Sequence, residues 1–376
     1  MTRKNVCDKI YKQRKEEVIN LRFVHIADMH FDCPFTGLQS IGNLGDVRRL
    51  EQRKVFRKVI DFVKENNIEY LFISGDLYEH EYVRKSTIEY INNLFQEIPN
   101  TKIFIVPGNH DPYVKNSYYD TFQWSENVYI CRSEFEVIRE PEADIYMTGF
   151  MDFYMNESPI EQIRVIDTNK VNILLTHCDL NGARDENGFS YNPILETKIN
   201  GFKFDYVAMG HIHKTNFEKD RRVVYPGSPI SFGFDELGDH GMVVGEVSKN
   251  NLATEFIKLD EREFVKFEVP VDNIFSKEEL VEKIANLRLE TKNMYEIVLV
   301  GNRLLEINPR EVLKLVDVQN ILKIKDCTQI GYDIEKISKE KNLRGIFVRE
   351  VIKKYEQGEC TEEQIKKALE IGLSVL

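Results

Sequence analysis

The sequence predicts an α/β protein over residues 21–261, followed by a smaller α+β unit over 262–330 and a helical tail over 331–376. Three observations carry this. From Leu21 onward, short apolar runs alternate with helical periods; those runs end in Asp, His or Asn beside glycine; and after Arg262 the pattern resets into a second, shorter alternation. At 376 residues the chain is too long for one small core, so more than one domain is expected from length alone.

Residues 1–20 are dense in Lys, Arg and Glu and lack an apolar h-region, so they read as an extension with no export signal, and a cytoplasmic protein is expected. Runs 21–27, 70–74 and 102–106 read as strands buried on both faces, joined by helical periods at 46–64 and 83–98. A helix-like stretch at 159–168 leads into a strand at 171–175, and a Gly- and Asn-rich loop at 179–201 precedes another at 204–209. Shorter β-type runs at 215–217, 222–225, 241–247 and 253–259 add hairpins. In the second unit, 264–269, 276–287, 295–300, 309–316 and 321–324 read as β-α-β-α-β, a unit able to bury a core of its own. The tail is helical in period from Ile334, and Thr361 with Gln364 three residues later matches a capping box.

Composition narrows the function classes. No apolar stretch is long enough to cross a bilayer, so no membrane association is expected. A net charge of −11 argues against coating nucleic acid by bulk charge, but leaves room for a local basic groove or for bound cations that handle phosphate. Six cysteines with no C-x-x-C pair read as reduced, structural thiols, and Cys178 reads as a small buried residue.

The strand ends carry the chemistry. They read Asp28-Met29-His30, Gly75-Asp76, Pro107-Gly108-Asn109-His110-Asp111, Thr176-His177 and Gly210-His211-Ile212-His213. Alone, the H-x-H at 211–213 reads either as two ligands aimed at one point or as an exposed turn. Five such tips change the weighing, because the carboxyl ends of the strands in an open α/β sheet line one edge, where sites are built. Imidazole, carboxylate and amide oxygen suit Mn, Fe, Zn or Mg, and the lack of cysteine argues against structural zinc. There are more donors than one ion takes. Two ions sharing a carboxylate, roughly 3.5–4 Å apart, clamp the attacking and leaving oxygens of a phosphoryl ester, so phosphoester hydrolysis is the expected reaction class.

The order D-x-H, G-D, G-N-H-D, H and G-H-x-H resembles the calcineurin-like metallophosphoesterase superfamily. Within it the chain is most similar to the SbcD family of DNA-repair exonucleases, through the stretch from Asp28 to Phe35, Tyr225-Pro226-Gly227-Ser228-Pro229, and the small unit and tail. The resemblance implies a sandwich of two mixed sheets flanked by helices, a small α+β capping domain and a helical C-terminal tail. It implies that Asp28, His30 and His213 hold one metal, that Asn109, His177 and His211 hold the other, and that Asp76 bridges. Manganese leads, with Mg, Fe or Zn as alternatives. It further implies that His110 is no ligand but stabilises the transition state or protonates the leaving 3′-oxygen, with Asp111 orienting its ring. The implied activity is exonucleolytic, and also endonucleolytic, at DNA ends. The implied partners are a second copy of the chain, in a homodimer, and an SbcC-type ABC ATPase docked by the tail, for which Leu343, Phe347 and Val351 are the expected anchors.

The chain departs from this family at one place. Several relatives carry a nucleotide-seating histidine three residues after the bridging aspartate; here that position is Glu79, with His80 next. His80 reads equally as a DNA contact or as a solvated loop histidine. Arg48, Arg49 and Arg53 are further candidate DNA contacts; Arg49, Arg53 and Arg57 share one helical stripe, which also reads as a plain solvated face. His25 faces away from the ligands and reads as structural, while His240, in a Gly-Asp-His-Gly turn, has no assigned role. Two rival functions remain. A small-molecule phosphomonoesterase or cyclic-nucleotide phosphodiesterase would share every ligand; a non-catalytic scaffold would have no need of an intact ligand set.

Overall fold

The computed structural model describes residues 20–38, 42–182, 188–249 and 251–376; the extension expected over 1–20 lies outside them except for Asn20. The described residues form two compact units, one ending at Glu263 and one running from Phe264 to Leu376.

In the first unit, β1 (Leu21–Ile26), β2 (Tyr70–Ser74), β3 (Lys102–Val106), β4 (Val128–Ile130), β10 (Gly241–Ser248) and β11 (Asn251–Lys258) form one sheet in the order β11-β10-β1-β2-β3-β4. A second sheet runs β5-β6-β7-β8-β9, made of β5 (Glu136–Arg139), β6 (Ala143–Thr148), β7 (Val171–His177), β8 (Tyr206–Gly210) and β9 (Val223–Val224). Both are mixed: β1 to β4 and β6 to β9 are parallel, while β10 pairs antiparallel with β1 and β5 with β6.

Alternation along each strand sets the layers. Phe23, Phe72 and Phe104 of the first sheet pack against Ile145, Ile173, Leu175 and Tyr206 of the second. Their neighbours Val24, Leu71, Ile73 and Ile103 point outward, onto α1 (Leu44–Glu65) and α2 (Lys85–Gln96). Each helix meets them with a stripe at helical spacing: Val55, Phe56, Val59, Ile60 and Val63 on α1, and Ile88, Ile91, Leu94 and Phe95 on α2. Each buried phenylalanine in this arrangement stabilises by roughly 1.5–3 kcal/mol. The outer face of the second sheet is closed by Ile160, Ile199 and Phe204. The first unit is thus a sandwich of two mixed sheets flanked by helices.

Two expected elements fail, each because side chains satisfy the backbone in another way. The helix-like stretch at 159–168 keeps a 3-10 turn at Pro159–Gln162. Beyond it the Arg164 side chain occupies the Glu161 and Ile163 carbonyls and Tyr146 Oη accepts from Ile166 N, so the backbone groups find partners without a helix. The run 215–217 is no strand, because side chains replace the ladder: Thr215 Oγ1 donates to Tyr225 O and Asn216 Oδ1 accepts from Tyr225 N. Strands β4, β5 and β6 are elements that the sequence reading did not identify.

In the second unit, β12 (Phe264–Pro270), β13 (Met294–Val300) and β15 (Ile321–Asp326) form a parallel sheet, with a short pair of β14 (Asn302–Arg303) and β16 (Gln329–Ile330) beside it in sequence. Helices α3 (Lys277–Ala285) and α4 (Pro309–Val316) bury Leu280, Ile284, Val312 and Val316 against Ile297, Leu299 and Ile324. Helices α5 (Ile334–Ser338), α6 (Leu343–Glu356) and α7 (Glu362–Val375) follow, α7 opened by the Thr361–Gln364 capping box. Ile337, Val348 and Leu373 make a small core of their own. Phe347 packs against that core, so one of the three expected docking anchors is turned inward, and the apolar residues that α6 leaves exposed are Leu343, Ile346 and Tyr355. No described helix is long and apolar enough to cross a membrane.

Candidate metal centre

The carboxyl ends of β1, β2 and β3 in one sheet and of β7 and β8 in the other deliver Asp28, His30, Asp76, Asn109, His110, His177, His211 and His213 to one place. The turns that do this are tight: Asp28, His30, Asp76 and His211 all have positive φ, a region L-residues enter at a cost and which is over-represented at functional sites. Gly75 and Gly210 make the approach of the two sheets possible. A Cβ at Gly75 would strike the His177 ring, and one at Gly210 would strike the Ser74 carbonyl.

Asp76 stands at the middle, with Oδ2 3.5 Å from His30 Nε2 and 3.3 Å from His177 Nε2. On one side, His30 Nε2 and His213 Nε2 face each other at 3.0 Å, and Asp28 lies within reach of both rings. On the other, Asn109 Oδ1 is 2.9 Å from His177 Nε2 and 3.2 Å from His211 Nδ1. The far ring nitrogens fix the tautomers. His30 Nδ1 faces Glu79 at 2.7 Å, His213 Nδ1 faces Glu236 at 2.6 Å and His177 Nδ1 faces the Ser74 carbonyl at 2.9 Å, all acceptors that require an N–H. The Nε2 lone pairs of His30 and His213 are therefore aimed at each other, and that of His177 at an amide oxygen. Such contacts need a positive centre between them, a proton or a cation, and nitrogen and oxygen donors without sulfur fit Mn, Fe, Zn or Mg.

The protonation tendencies of the protein groups agree. Burial pulls His177 down, but the Asp76 and Asp28 carboxylates outweigh it and lift the ring to about 9. Burial pushes Asp76 up, yet His177, His30 and His110 hold it well below the usual carboxylate range. His211 is driven by burial, and next by the His177 charge, down to about 3.

His110 stands apart from these donors in exposure: its side chain is 47% exposed. Its ring lies edge-on to His30, with centroids 4.8 Å apart, and its backbone N–H donates to Asp76 Oδ1 at 2.9 Å. The group that orients the ring is Glu79, whose Oε2 is 3.0 Å from His110 Nδ1, and not Asp111 as expected. Asp111 is buried and its carboxylate is fully engaged elsewhere, accepting from the N–H of Gly108, Asp76 and Leu77 and from Tyr119 Oη at 2.6–3.0 Å. It holds the two motif loops together. Burial and the Asp76 charge lift Asp111 to about 7. For His110, burial lowers the ring, but the Glu79 hydrogen bond and the carboxylates around it raise it to about 9. Glu79 itself is raised by burial and lowered further by both rings, to about 2.

The candidate DNA contacts separate. Arg48 is buried and bound to Asp260, Glu51 and the Ser231 carbonyl, so it is a structural ion pair and not a DNA contact. Arg57 is held by Glu97. Arg49 pairs with Asp46, and Arg53 donates to Thr87 while lying over the Tyr90 ring; both line a cleft of about 610 Å³ with Asp32, Tyr82 and Arg84. His80 is half-buried against Phe153. His25 and His240 are buried and bonded inside the unit, His25 to Tyr206 and Ser74, His240 to Ser228 and the Glu236 carbonyl. Sequence reasoning missed the roles of Glu79 and Glu236. Glu79 was visible as a departure from the family pattern; nothing local marks Glu236, 23 residues beyond its histidine.

A family model for the calcineurin-like phosphoesterases matches residues 21–215. The chain is 25% identical over 248 residues to the uncharacterized metallophosphoesterase YhaO of Bacillus subtilis, a match covering 63% of this chain and 60% of that protein. It is 26% identical over 273 residues to the SbcD component of the nuclease SbcCD of Staphylococcus epidermidis, covering 62% of this chain and 68% of that protein. The corresponding component from Staphylococcus saprophyticus is 24% identical over 271 residues, covering 64% and 69%. The chain therefore spans between 60% and 69% of the length of these relatives.

Proposed function

Because the chain belongs to the calcineurin-like phosphoesterase family, we propose that it is a metal-dependent nuclease of the SbcD type, hydrolysing phosphodiester bonds at DNA ends. One observation carries the reading: the Asp76 carboxylate stands between two sets of nitrogen and oxygen donors, in a chain whose relatives include SbcD components of SbcCD nucleases.

In this reading Asp28, His30 and His213 hold one divalent ion, Asn109, His177 and His211 hold a second, and Asp76 serves both, with manganese the first choice. Bound ions supply Lewis acidity toward phosphoryl oxygens and a nucleophile at neutral pH. The chain's own work is the proton. Glu79 engages Nδ1 of His110, which leaves Nε2 to carry a proton at neutral pH and give it to the departing 3′-oxygen. Asp111 keeps Gly108, Asp76 and Leu77 in register, so that His110 and Asp76 keep their spacing. Arg49 and Arg53 neutralise backbone phosphates along their cleft. The exposed residues Leu343 and Ile346 of α6 offer a docking face for an SbcC-type ATPase.

The test presents manganese-loaded protein with end-labelled duplex DNA and, separately, with p-nitrophenyl phosphate. Progressive loss of label with poor monoester turnover is expected; preferential turnover of the monoester overturns the nuclease reading in favour of a phosphomonoesterase. Leu343→Asp with Ile346→Asp should abolish co-purification with the ATPase, and unchanged binding removes α6 as the docking element.

A further inference from the structure

Two loops leave the second sheet beside the metal donors. One follows β6 and contains Phe153, Tyr154 and Met155; the other follows β7 and contains Phe189 and Tyr191. The loops are fastened to each other: Met155 N donates to Ser190 O at 3.0 Å, Asn192 N to Met155 O at 2.8 Å and Ser190 N to Asn156 Oδ1 at 2.9 Å. Segments bonded in this way can bury aromatic rings, yet Phe153 is 43% exposed, Tyr154 41% and Phe189 36%. Tyr154 and Phe189 stack with centroids 4.3 Å apart.

The rings join the candidate metal centre at two ends. Phe153 meets the His80 ring edge-on at 5.7 Å, and His80 N donates to His110 O at 2.9 Å. Tyr191 lies 5.2 Å from the His211 ring. Exposed aromatic rings thus stand near the His110 side of the centre, at Phe153, with Tyr154 next to it in sequence. Exposed apolar surface beside a site marks a place where something docks. Charge says what. Residues 149–157 contain no Lys or Arg but include Asp152 and Glu157, so the Phe153 and Tyr154 rings are poor partners for phosphate, whose arginine-lined cleft involves other residues. A flat, uncharged π face covalently tied to a phosphodiester at the centre is a nucleobase.

We infer that Phe153 and Tyr154, the latter backed by Phe189, form a stacking shelf for an unpaired nucleobase adjoining the scissile phosphate, so that the site accepts frayed or single-stranded ends. The inference rests on the nuclease reading and names its substrate form. Stacking on aromatic side chains tolerates every base, since each has a π face, and so suits an enzyme that removes nucleotides without regard to sequence. A base inside a duplex has both faces covered by its neighbours and must leave the stack before it can use the shelf.

The experiment measures kcat/KM with manganese on two short single-stranded oligonucleotides, one intact and one with abasic residues at its two terminal positions. The wild type should prefer the intact strand by about tenfold or more, mostly through KM. Phe153→Ala with Tyr154→Ala should bring that ratio toward one. Phe153→Leu with Tyr154→Leu should do the same, because leucine keeps apolar bulk without a stacking face, while Phe135→Ala, an exposed aromatic outside the shelf, should keep the wild-type ratio. Leucine variants that retain the preference overturn the inference, as do shelf variants that change oligomeric state in gel filtration but not the ratio, which would make the shelf a contact between protomers. A wild type that cleaves both strands equally defeats the shelf alone. One that cleaves neither defeats the nuclease reading and the shelf with it.

Discussion

The histidines of the centre are held in two different ways. His30, His110 and His213 turn Nδ1 to a carboxylate, Glu79 for the first two and Glu236 for the third. His177, in contrast, turns Nδ1 to the neutral Ser74 carbonyl. A carboxylate behind an imidazole raises its basicity and adds negative charge; a neutral oxygen fixes the ring and does little more. The two donor sets that flank Asp76 are therefore not equivalent. The set with Asp28, His30 and His213 should bind a divalent ion more tightly, so that the two positions fill in sequence.

The largest effect should come from removing what both sets share. Asp76→Ala is expected to reduce hydrolysis to background and to eliminate both binding events in a calorimetric manganese titration, with circular dichroism unchanged. Near wild-type turnover would dismiss the idea of a shared carboxylate. Next comes His110→Ala, expected to lower kcat by roughly 10²–10⁴-fold while two ions still bind. A metal-depleted His110→Ala protein would make this ring a ligand, a role its proximity to His30 and Asp76 permits. Glu79→Gln should weaken the first ion by roughly 10–100-fold and leave the second in place, because one amide oxygen cannot accept from two rings. Equal weakening of both ions would erase the distinction between the sets. Glu236→Gln, touching one ring, should weaken the first ion by no more than Glu79→Gln does.

The smallest effect concerns a buried ring whose side-chain partners are hydroxyls. His25 sits between Tyr206 Oη and Ser74 Oγ, and burial drives it from 6.5 to about 3. Its folded form stays neutral while the unfolded chain takes up a proton below the ordinary value. Its contribution is thus complete above about pH 6.5 and is lost as pH falls from there toward 3, at about 1.4 kcal/mol per pH unit. Between pH 6.5 and 5.0 that amounts to about 2 kcal/mol, read as the difference in pH dependence of denaturant unfolding between wild type and His25→Gln. Parallel pH profiles would place the ring's neutrality in doubt.

How much of this was legible in the sequence follows from how local each feature is. Strands β1, β2, β3, β7 and β8 could be read because their apolar runs are short, uninterrupted and followed by motif residues. Strands β4 to β6 were missed because they end in no motif, and β5 and β6 carry charged or polar residues such as Glu136 and Asp144 among their apolar ones. Asp111 was given the wrong partner for a similar reason. Adjacency in sequence to His110 implied contact, whereas the turn directs its carboxylate to three backbone amides. The arginines of α1 were legible as candidates, but only the packing around that helix decides that Arg48, beside Asp260, and Arg57, beside Glu97, are consumed by ion pairs.

Each donor set draws from both sheets: Asp28 and His30 from the first with His213 from the second, and Asn109 from the first with His177 and His211 from the second. An ion bound there acts as a rivet through the seam of the sandwich. The sheets cannot separate without releasing it, so binding free energy becomes folding free energy. At free metal a hundredfold above its dissociation constant, each ion adds about 2.7 kcal/mol to the resistance against unfolding. Chelation would then loosen the seam as well as silence the chemistry, and a protein starved of metal would become easier prey for proteases at the same time as it lost phosphoester hydrolysis.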